Sequence, residues 1–438
     1  MGVANRDSSA RNPGWFVKSN YPCLTGHFLA TGCFRATLQS ARRAASSSSL
    51  RPPPPPTVPP TVPATLSATV HWPDPARLAH FERWLQRITA EHALQPQTLA
   101  PASADASFRR YLRLQGGGAS YIVMDAPPPL EDVRPFVHVA ALLQQANLPA
   151  PRVLQADVEH GFLLLTDLGD SLYLDALLAA QAGDDTATAH TLMMQALQAL
   201  VQFQRRVPAS ELPPFSAQLL QTELDLFPEW CVGREFGIRW GDKEQAVWQR
   251  TCQLLVDNAL QQPQTAVHAD WMPRNLMLPA PNGGEAAGRN RGAAGGNRQA
   301  ADASGLPGLL DFQDAVSGPI TYDTASLLRD AFISWSEEQE LDWAVRGWEL
   351  QRKAGLPVHA DFGQHWRELE WMGLQRHLKV LGIFCRLKHR DGKPRYAQDL
   401  PRFLGYATRV ALRYGPLKPL LRLLEPLSGA QVKQGFTF

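Results

Sequence analysis

Val267-His268-Ala269-Asp270-Trp271-Met272-Pro273-Arg274-Asn275-Leu276-Met277-Leu278 is a polar turn with HxDxxxxN spacing that runs out into apolar, strand-like sequence over residues 276–278. A second stretch, Gly308-Leu309-Leu310-Asp311-Phe312-Gln313-Asp314, reads as an apolar strand ending in an acidic turn. Asp311 lies 36 positions after Asn275. Between them, residues 281–305 are rich in Gly, Ala, Asn and Arg, which bury too little apolar surface to order themselves, so a disordered insert is expected there. Setting the roughly 25 residues of the insert aside leaves about 11, the length of a hairpin. Two strands joined in that way would bring Asp270, Asn275 and Asp311 to one edge.

Residues of these types suit phosphoryl transfer, which asks little covalent chemistry of a protein and much positioning and charge neutralisation. Asp270 is the candidate catalytic base, because a carboxylate beside an acceptor hydroxyl can orient it and take its proton. Asn275 and Asp311 are the candidate Mg2+ ligands, since a hard cation takes oxygen donors. His268 reads as a buttress of the turn through hydrogen bonds, and Asp314 as support for the metal carboxylate. Asp323 is read as a further support, with capping of a helix over residues 324–335 as the competing role.

His268 to Asn275 together with Asp311 resemble the catalytic loop and metal motif of the aminoglycoside phosphotransferase / choline kinase superfamily. Gly318-Pro319-Ile320-Thr321-Tyr322-Asp323 resembles the turn that comes after the metal carboxylate in that superfamily. Four stretches are similar to its bacterial branch acting on N-acetylmuramate and N-acetylglucosamine: DASFRRYLRL (105–114), IVMDAP (122–127), FPEW (227–230) and LDFQDAVSGPITYDTASLLRDA (310–331). The likeness covers residues 73–424 apart from the insert. It implies a bilobal protein-kinase-like α+β fold, with a small sheet N-lobe over 71–169 and a larger helical C-lobe over 170–438. It also implies ATP and Mg2+ as cofactors, and phosphorylation of an amino sugar at its anomeric hydroxyl in cell-wall recycling. Aminoglycoside-, choline- or homoserine-like acceptors are the alternatives, as is a nucleotide-binding module without activity.

The order of elements agrees with a sheet lobe feeding a helical one. Leu78, Phe81, Leu85 and Ile88 are spaced as one face of a helix over 77–91. Strands are expected at 111–114 and 121–124, joined through Gly116-Gly117-Gly118. A helix at 133–147 carries Pro135 in its first turn, and a buried strand comes next at 162–165. From there to residue 260 the pattern is mostly helical.

The sequence departs from kinases in how it could hold a triphosphate. GxxxxGK[ST] is absent, which excludes a P-loop. No lysine stands between Lys18 and Lys243, so the sheet lobe lacks a phosphate-clamping lysine, and Met124-Asp125 stands about where it would fall. Helix 133–147 lacks the glutamate that would pair with it. Arg109 and Arg110 are the candidate substitutes, because guanidinium holds phosphate oxygens bidentately and stays charged. Strand alternation sends the two to opposite faces, so one at most can meet the nucleotide. Adenine is expected against the connector 165–168, read by backbone groups, with Thr166 and Leu168 as the candidates.

Composition narrows the remaining classes. Of 438 residues, 44% are hydrophobic and 19% charged, as in a soluble globular protein, and no run of apolar residues is long enough to span a membrane. Five scattered cysteines without a CxxC pair suit a reducing cytoplasm and offer no zinc site. Residues 1–70, Ser/Pro-rich with seven basic side chains and one acidic, read as a disordered extension with a superficial likeness to a transit peptide. The remaining 36 basic and 40 acidic side chains leave a mildly acidic body, a poor match to nucleic acid. Residues 330–438 carry 17 basic and 12 acidic side chains, a balance that favours a neutral or anionic acceptor. Oligomeric state is not legible.

Overall fold

The computed structural model describes residues 70–104, 108–128, 130–279 and 305–428, so nearly all of the expected extension and insert lie outside it. Helix α1 (Pro75–His92) starts at Asp74, whose carboxylate accepts from the Ala76 N–H at 2.9 Å. Pro75 sits in the first turn, where its missing donor costs nothing. Five strands come next: β1 (Leu94–Ala104), β2 (Arg110–Gly116), β3 (Ala119–Asp125), β4 (Val153–Asp157) and β5 (Phe162–Thr166). They form one antiparallel sheet in the order β1-β2-β3-β5-β4. The β2–β3 hairpin turns on Gly117 and Gly118, both at positive φ (56° and 78°), the two-residue geometry that glycine permits and the strand twist favours.

The two edge strands escape a reading of the sequence for a physical reason. β1 contains Pro96 and Pro101, which cannot donate to a ladder, and its register against β2 slips on either side of Ala100. Proline confines such a strand to an edge, and that is its place. β4 is five residues of mixed character at the other edge.

Each face of the sheet has its own cover. Phe81, Trp84, Leu85 and Ile88 of α1 pack on Leu112, Leu114, Val123, Phe162 and Leu164. Met124, Leu163 and Leu165 face α2 (Arg134–Gln145) and the helical body. β5 is buried on both faces, which explains its uninterrupted apolar run.

After β5 the chain becomes mainly helical: α3 (Tyr173–Ala182), α4 (Thr186–Arg206), α5 (Ala217–Leu226) and α6 (Asp242–Gln261). Four short strands then form two antiparallel pairs, β6 (Gln264–Val267) with β9 (Val316–Pro319), and β7 (Leu276–Met277) with β8 (Gly308–Leu309). Helices α7 (Tyr322–Leu328), α8 (Glu337–Lys353), α9 (Phe362–His389), α10 (Leu400–Arg413) and α11 (Leu421–Ser428) complete the body. The expected helix over 324–335 is in fact the shorter α7, and Thr321, not Asp323, is its N-cap. The Asp323 carboxylate is engaged across the fold instead, on the turn after β6.

The 28-residue α9 is the axis of the body, with almost every side chain from Leu369 to Cys385 buried. At Gly382 the backbone of Leu226 comes so close that a Cβ would lie 2.4 Å from its carbonyl carbon, so glycine is required there. Met372 and Cys385 are plain core residues. A sheet lobe and a helical body, joined by the segment from Asp167 to Leu172, make the bilobal kinase-like architecture.

Candidate active site

The turn between β6 and β7 is shaped by main-chain hydrogen bonds. Met272 N–H donates to the Asp270 carbonyl at 2.9 Å, and Asn275 N–H to that of Met272 at 2.8 Å. Asn275 Nδ2 donates to the Asp270 carbonyl at 3.0 Å, so its side chain stitches the turn. The Asn275 carbonyl accepts from Leu310 N–H at 2.9 Å, which carries the β7–β8 hairpin up to Asp311. The hairpin thus joins the two sequence stretches and puts Asn275 and Asp311 on neighbouring strand ends.

Two backbones here are held in the left-handed region, Ala269 at φ 74° and Asp311 at φ 59°. Neither is glycine, and each such residue costs of order 1–3 kcal/mol. Ala269 is held by Asp323, whose fully buried carboxylate accepts from His268 N–H at 2.7 Å and from Ala269 N–H at 3.1 Å. Phe312, the neighbour of Asp311 along the chain, centres its ring 4.6 Å from that of Phe136 on α2. Through that contact the sheet-lobe helix bears on the residue next to Asp311.

His268 is tied into the turn by its main-chain N–H, which donates to Asp323. Its ring is wholly buried, edge-on to Phe203 and Trp271, and burial pushes its pKa down to about 4, so it is neutral at neutral pH. The buttress is its main-chain N–H and the packing of its ring.

Asp270 is 5% exposed. Burial pushes its carboxyl up to about 6, the charge of Asp311 adds to this, and Lys379, Arg376 and Arg274 pull the other way. Asp314 is pushed up to about 7 by burial and by Asp311 and Asp270, and Asp323 to about 7 by burial against the pull of its two N–H bonds. Gln313 Nε2 donates to Asp311 at 2.9 Å and to Asp314 at 3.3 Å, tying these two carboxylates together.

The two arginines separate as strand alternation requires. Arg109 is buried, with Nη2 3.6 Å from Asp311 Oδ1, and bridges the lobes. Arg110 turns away: its Nε donates to Asp125 at 2.9 Å, its Nη2 also binds that carboxylate, its Nη1 donates to the His71 carbonyl at 2.7 Å, and it lies over the Trp72 ring. Arg77 of α1 holds the other oxygen of Asp125. Arg110 is therefore part of a clamp between α1 and the sheet, and its donors are spent away from the hairpin.

Thr166 is the last residue of β5 and Leu168 lies on the connector, and their side chains face protein. Thr166 Oγ1 accepts from Arg152 N–H at 2.9 Å. The Leu168 side chain lies against Gly308, where a Cβ would approach its Cδ1 to 2.9 Å. Between them stands Asp167, which sequence reasoning passed over. Its carboxylate meets Arg113 at 2.6 Å, Ser120 Oγ at 2.6 Å and Gly169 N–H at 2.9 Å, and fixes the connector to β2 and β3.

Sequence reasoning also missed a narrow recess beside Asp270. Phe215, Glu223, Asp314, Val316 and Lys379 line it with Asp270. Lys379 Nζ donates to Glu223 at 2.6 Å and to the Tyr322 hydroxyl at 3.2 Å. The available signal was Arg376 and Lys379 in the middle of an apolar helical run. No cluster of three or more His, Cys, Asp or Glu side chains among the described residues could hold a metal by itself. One amide and one carboxylate, Asn275 and Asp311, fit a hard cation that completes its shell with phosphate oxygens.

Several known proteins are similar to this chain. Residues 98–288 match the model of the phosphotransferase enzyme family. The N-acetylmuramate/N-acetylglucosamine kinase of Pseudomonas putida is 46% identical over 330 residues, covering 75% of this chain and 88% of that protein. Its counterpart in Pseudomonas aeruginosa is 44% identical over 361 residues, covering 81% of this chain and 98% of that one. Among solved structures, an ethanolamine kinase of Plasmodium vivax matches at 10% identity and a TM-score of 0.49, covering 81% of this chain and 91% of that one. The chain belongs to the phosphotransferase enzyme family. It is an enzyme that transfers a phosphoryl group.

The Asp323 contacts can be tested directly. Asp323→Asn keeps the volume but replaces one acceptor oxygen by a donor, so one of the two N–H groups loses its partner. A hydrogen bond to a charged group is worth about 1.5–3 kcal/mol, so turnover is expected to fall roughly tenfold to a hundredfold as the turn relaxes. Steady-state kinetics on folded protein check this; parental turnover would show that the turn holds itself.

Proposed function

We propose that this phosphotransferase takes the terminal phosphoryl group of magnesium ATP and places it on the anomeric hydroxyl of an amino sugar, N-acetylmuramate or N-acetylglucosamine, giving the sugar 1-phosphate. The acceptor class is that named for the two Pseudomonas relatives, which align with most of this chain. The observation that carries the reading is Asp270, held by the strained turn, lining a narrow recess and next to the Asn275–Asp311 hairpin. A module that only bound nucleotide would have no need of that arrangement. The corresponding biological role is recovery of cell-wall sugars in the cytoplasm. No helix of the described residues is long and apolar enough to cross a membrane.

In this reading Asp270 accepts the proton of the anomeric hydroxyl as the oxygen attacks phosphorus. Its raised pKa suits the role, because a proton acceptor works best with a pKa near the working pH. Asn275 Oδ1 and an Asp311 oxygen would hold magnesium, which would neutralise charge on the phosphates. Arg109 supplies the positive charge that a sheet-lobe lysine would otherwise bring, turning from Asp311 toward phosphate oxygens when nucleotide is bound. Backbone groups of Leu168 and the carbonyl of Thr166, whose N–H is spent on the Arg152 carbonyl at 3.1 Å, remain the proposed adenine contacts, beside a connector stiffened by Asp167. Asp314 and Asp323 support the site and His268 packs beneath it.

Two experiments bear on this. Incubation with magnesium ATP and a panel of N-acetylmuramate, N-acetylglucosamine, choline, homoserine and an aminoglycoside should consume ATP with the two amino sugars alone, and phosphorus NMR should find an anomeric phosphate. Asp270→Asn should bind ATP normally yet lose at least ~10²-fold in turnover, the scale of a positioned proton acceptor. Turnover of a different acceptor, or near-parental turnover of that variant, would sink the assignment.

The arginines give a paired prediction. Arg109→Ala should raise KM for ATP about tenfold or more, the scale of one charge-assisted contact. Arg110→Ala should lower the melting temperature through the Asp125 clamp and leave KM for ATP near parental. The opposite pattern would reassign the two.

A further inference from the structure

One buried ion pair stands beside Asp270, on which its lysine acts through charge, pulling the carboxyl down. Lys379, 3% exposed in the middle of α9, donates to one oxygen of Glu223 on α5, which is 6% exposed. Gln375 Nε2 donates to the other oxygen at 2.9 Å. Replacing such a pair by apolar residues of similar volume commonly costs a core nothing, so packing alone gives no reason for it. Its location does. Both side chains line the recess that contains Asp270 and Asp314, whose apolar wall is Phe215 and Val316.

We propose that the Lys379–Glu223 pair is the element that reads the acceptor, Lys379 donating to and Glu223 accepting from uncharged hydroxyl or amide groups on the sugar edge presented to Asp270. The proposal rests on the amino-sugar reading and deepens it. Three carboxylates and one ammonium line the recess, so a negatively charged substituent has no place inside it. An acceptor bearing a carboxylate must carry it outward, away from Asp270. The net positive balance of residues 330–438 therefore says nothing about the charge of this pocket. Neutral and anionic amino sugars enter by the same edge, and the pair serves both equally.

The test is steady-state kinetics of the full chain with N-acetylglucosamine and N-acetylmuramate as probes, beside melting curves. Turnover of either sugar by the parent tests the amino-sugar reading on its own, before any variant is made. Removing one partner strands a buried charge, so the diagnostic protein is the double variant Glu223→Gln/Lys379→Met, which removes both. It should fold, with KM for both sugars raised at least about tenfold, the scale of a lost hydrogen bond to a charged group, and by similar factors. KM for ATP should stay within about twofold of the parent, since Asn275, Asp311 and Arg109 are not among the residues that line the recess with the pair. Lys379→Arg, which keeps a donor of different shape, should fall between the two. The proposal is overturned if the double variant does not fold, keeps parental sugar KM, or raises KM for ATP and sugar together. A rise confined to N-acetylmuramate would overturn it as well, because Lys379 would then be reading the carboxylate.

Discussion

Asp323 accepts the main-chain N–H groups of His268 and Ala269 in the buried interior, and the 268–275 turn owes its shape to those two bonds. Without them Ala269 would leave the left-handed region that costs it free energy, and Asp270 would turn with it. The remaining supports are arranged around this one. Asn275 closes the far side of the turn, Phe203 and Trp271 seat the neutral His268 ring, and the β7–β8 ladder hands the geometry on to Asp311. The strain of the site is carried by buried hydrogen bonds.

Charge is distributed differently from what a lysine-bearing sheet lobe would require. At the end of β3 a carboxylate, Asp125, is buried between Arg77 and Arg110 and fastens α1 to the sheet. The cation facing the hairpin is Arg109, drawn to within 3.6 Å of Asp311. The contact between α2 and the hairpin is aromatic, Phe136 against Phe312, in place of an ion pair. Packing fixes the relation of the lobes here, while the charged bridge from Arg109 is reserved for Asp311.

Much of this was legible in the sequence, and what was not has identifiable causes. The HxDxxxxN turn and the apolar strand before Asp311 announced their hairpin because spacing and polarity are local signals. The glycine turn between β2 and β3 was readable for the same reason. β1 was hidden by its prolines and β4 by its shortness, since edge strands need no alternation on a second partner. Asp323 could be read as a cap because its true partners lie 54 and 55 residues away. Strand alternation separated Arg109 from Arg110, but which one faces the hairpin depends on how β2 registers with its neighbours. Lys379 and Glu223 stand 156 residues apart on different helices, and only the packing of α5 on α9 brings them to Asp270.

The central claim is that Asp270, held by this turn, is the group that takes the acceptor's proton. The most direct measurement is kcat/KM for the sugar at saturating magnesium ATP, monitored from about pH 5 to pH 8 in the parent and in Asp270→Asn. A base whose carboxyl is pushed up by burial must lose its proton to work, so parental activity should climb with pH and then level off. In the variant the residual activity should show no such limb. The same limb, at the same pH, in Asp270→Asn would mean that another group titrates and would contradict the account.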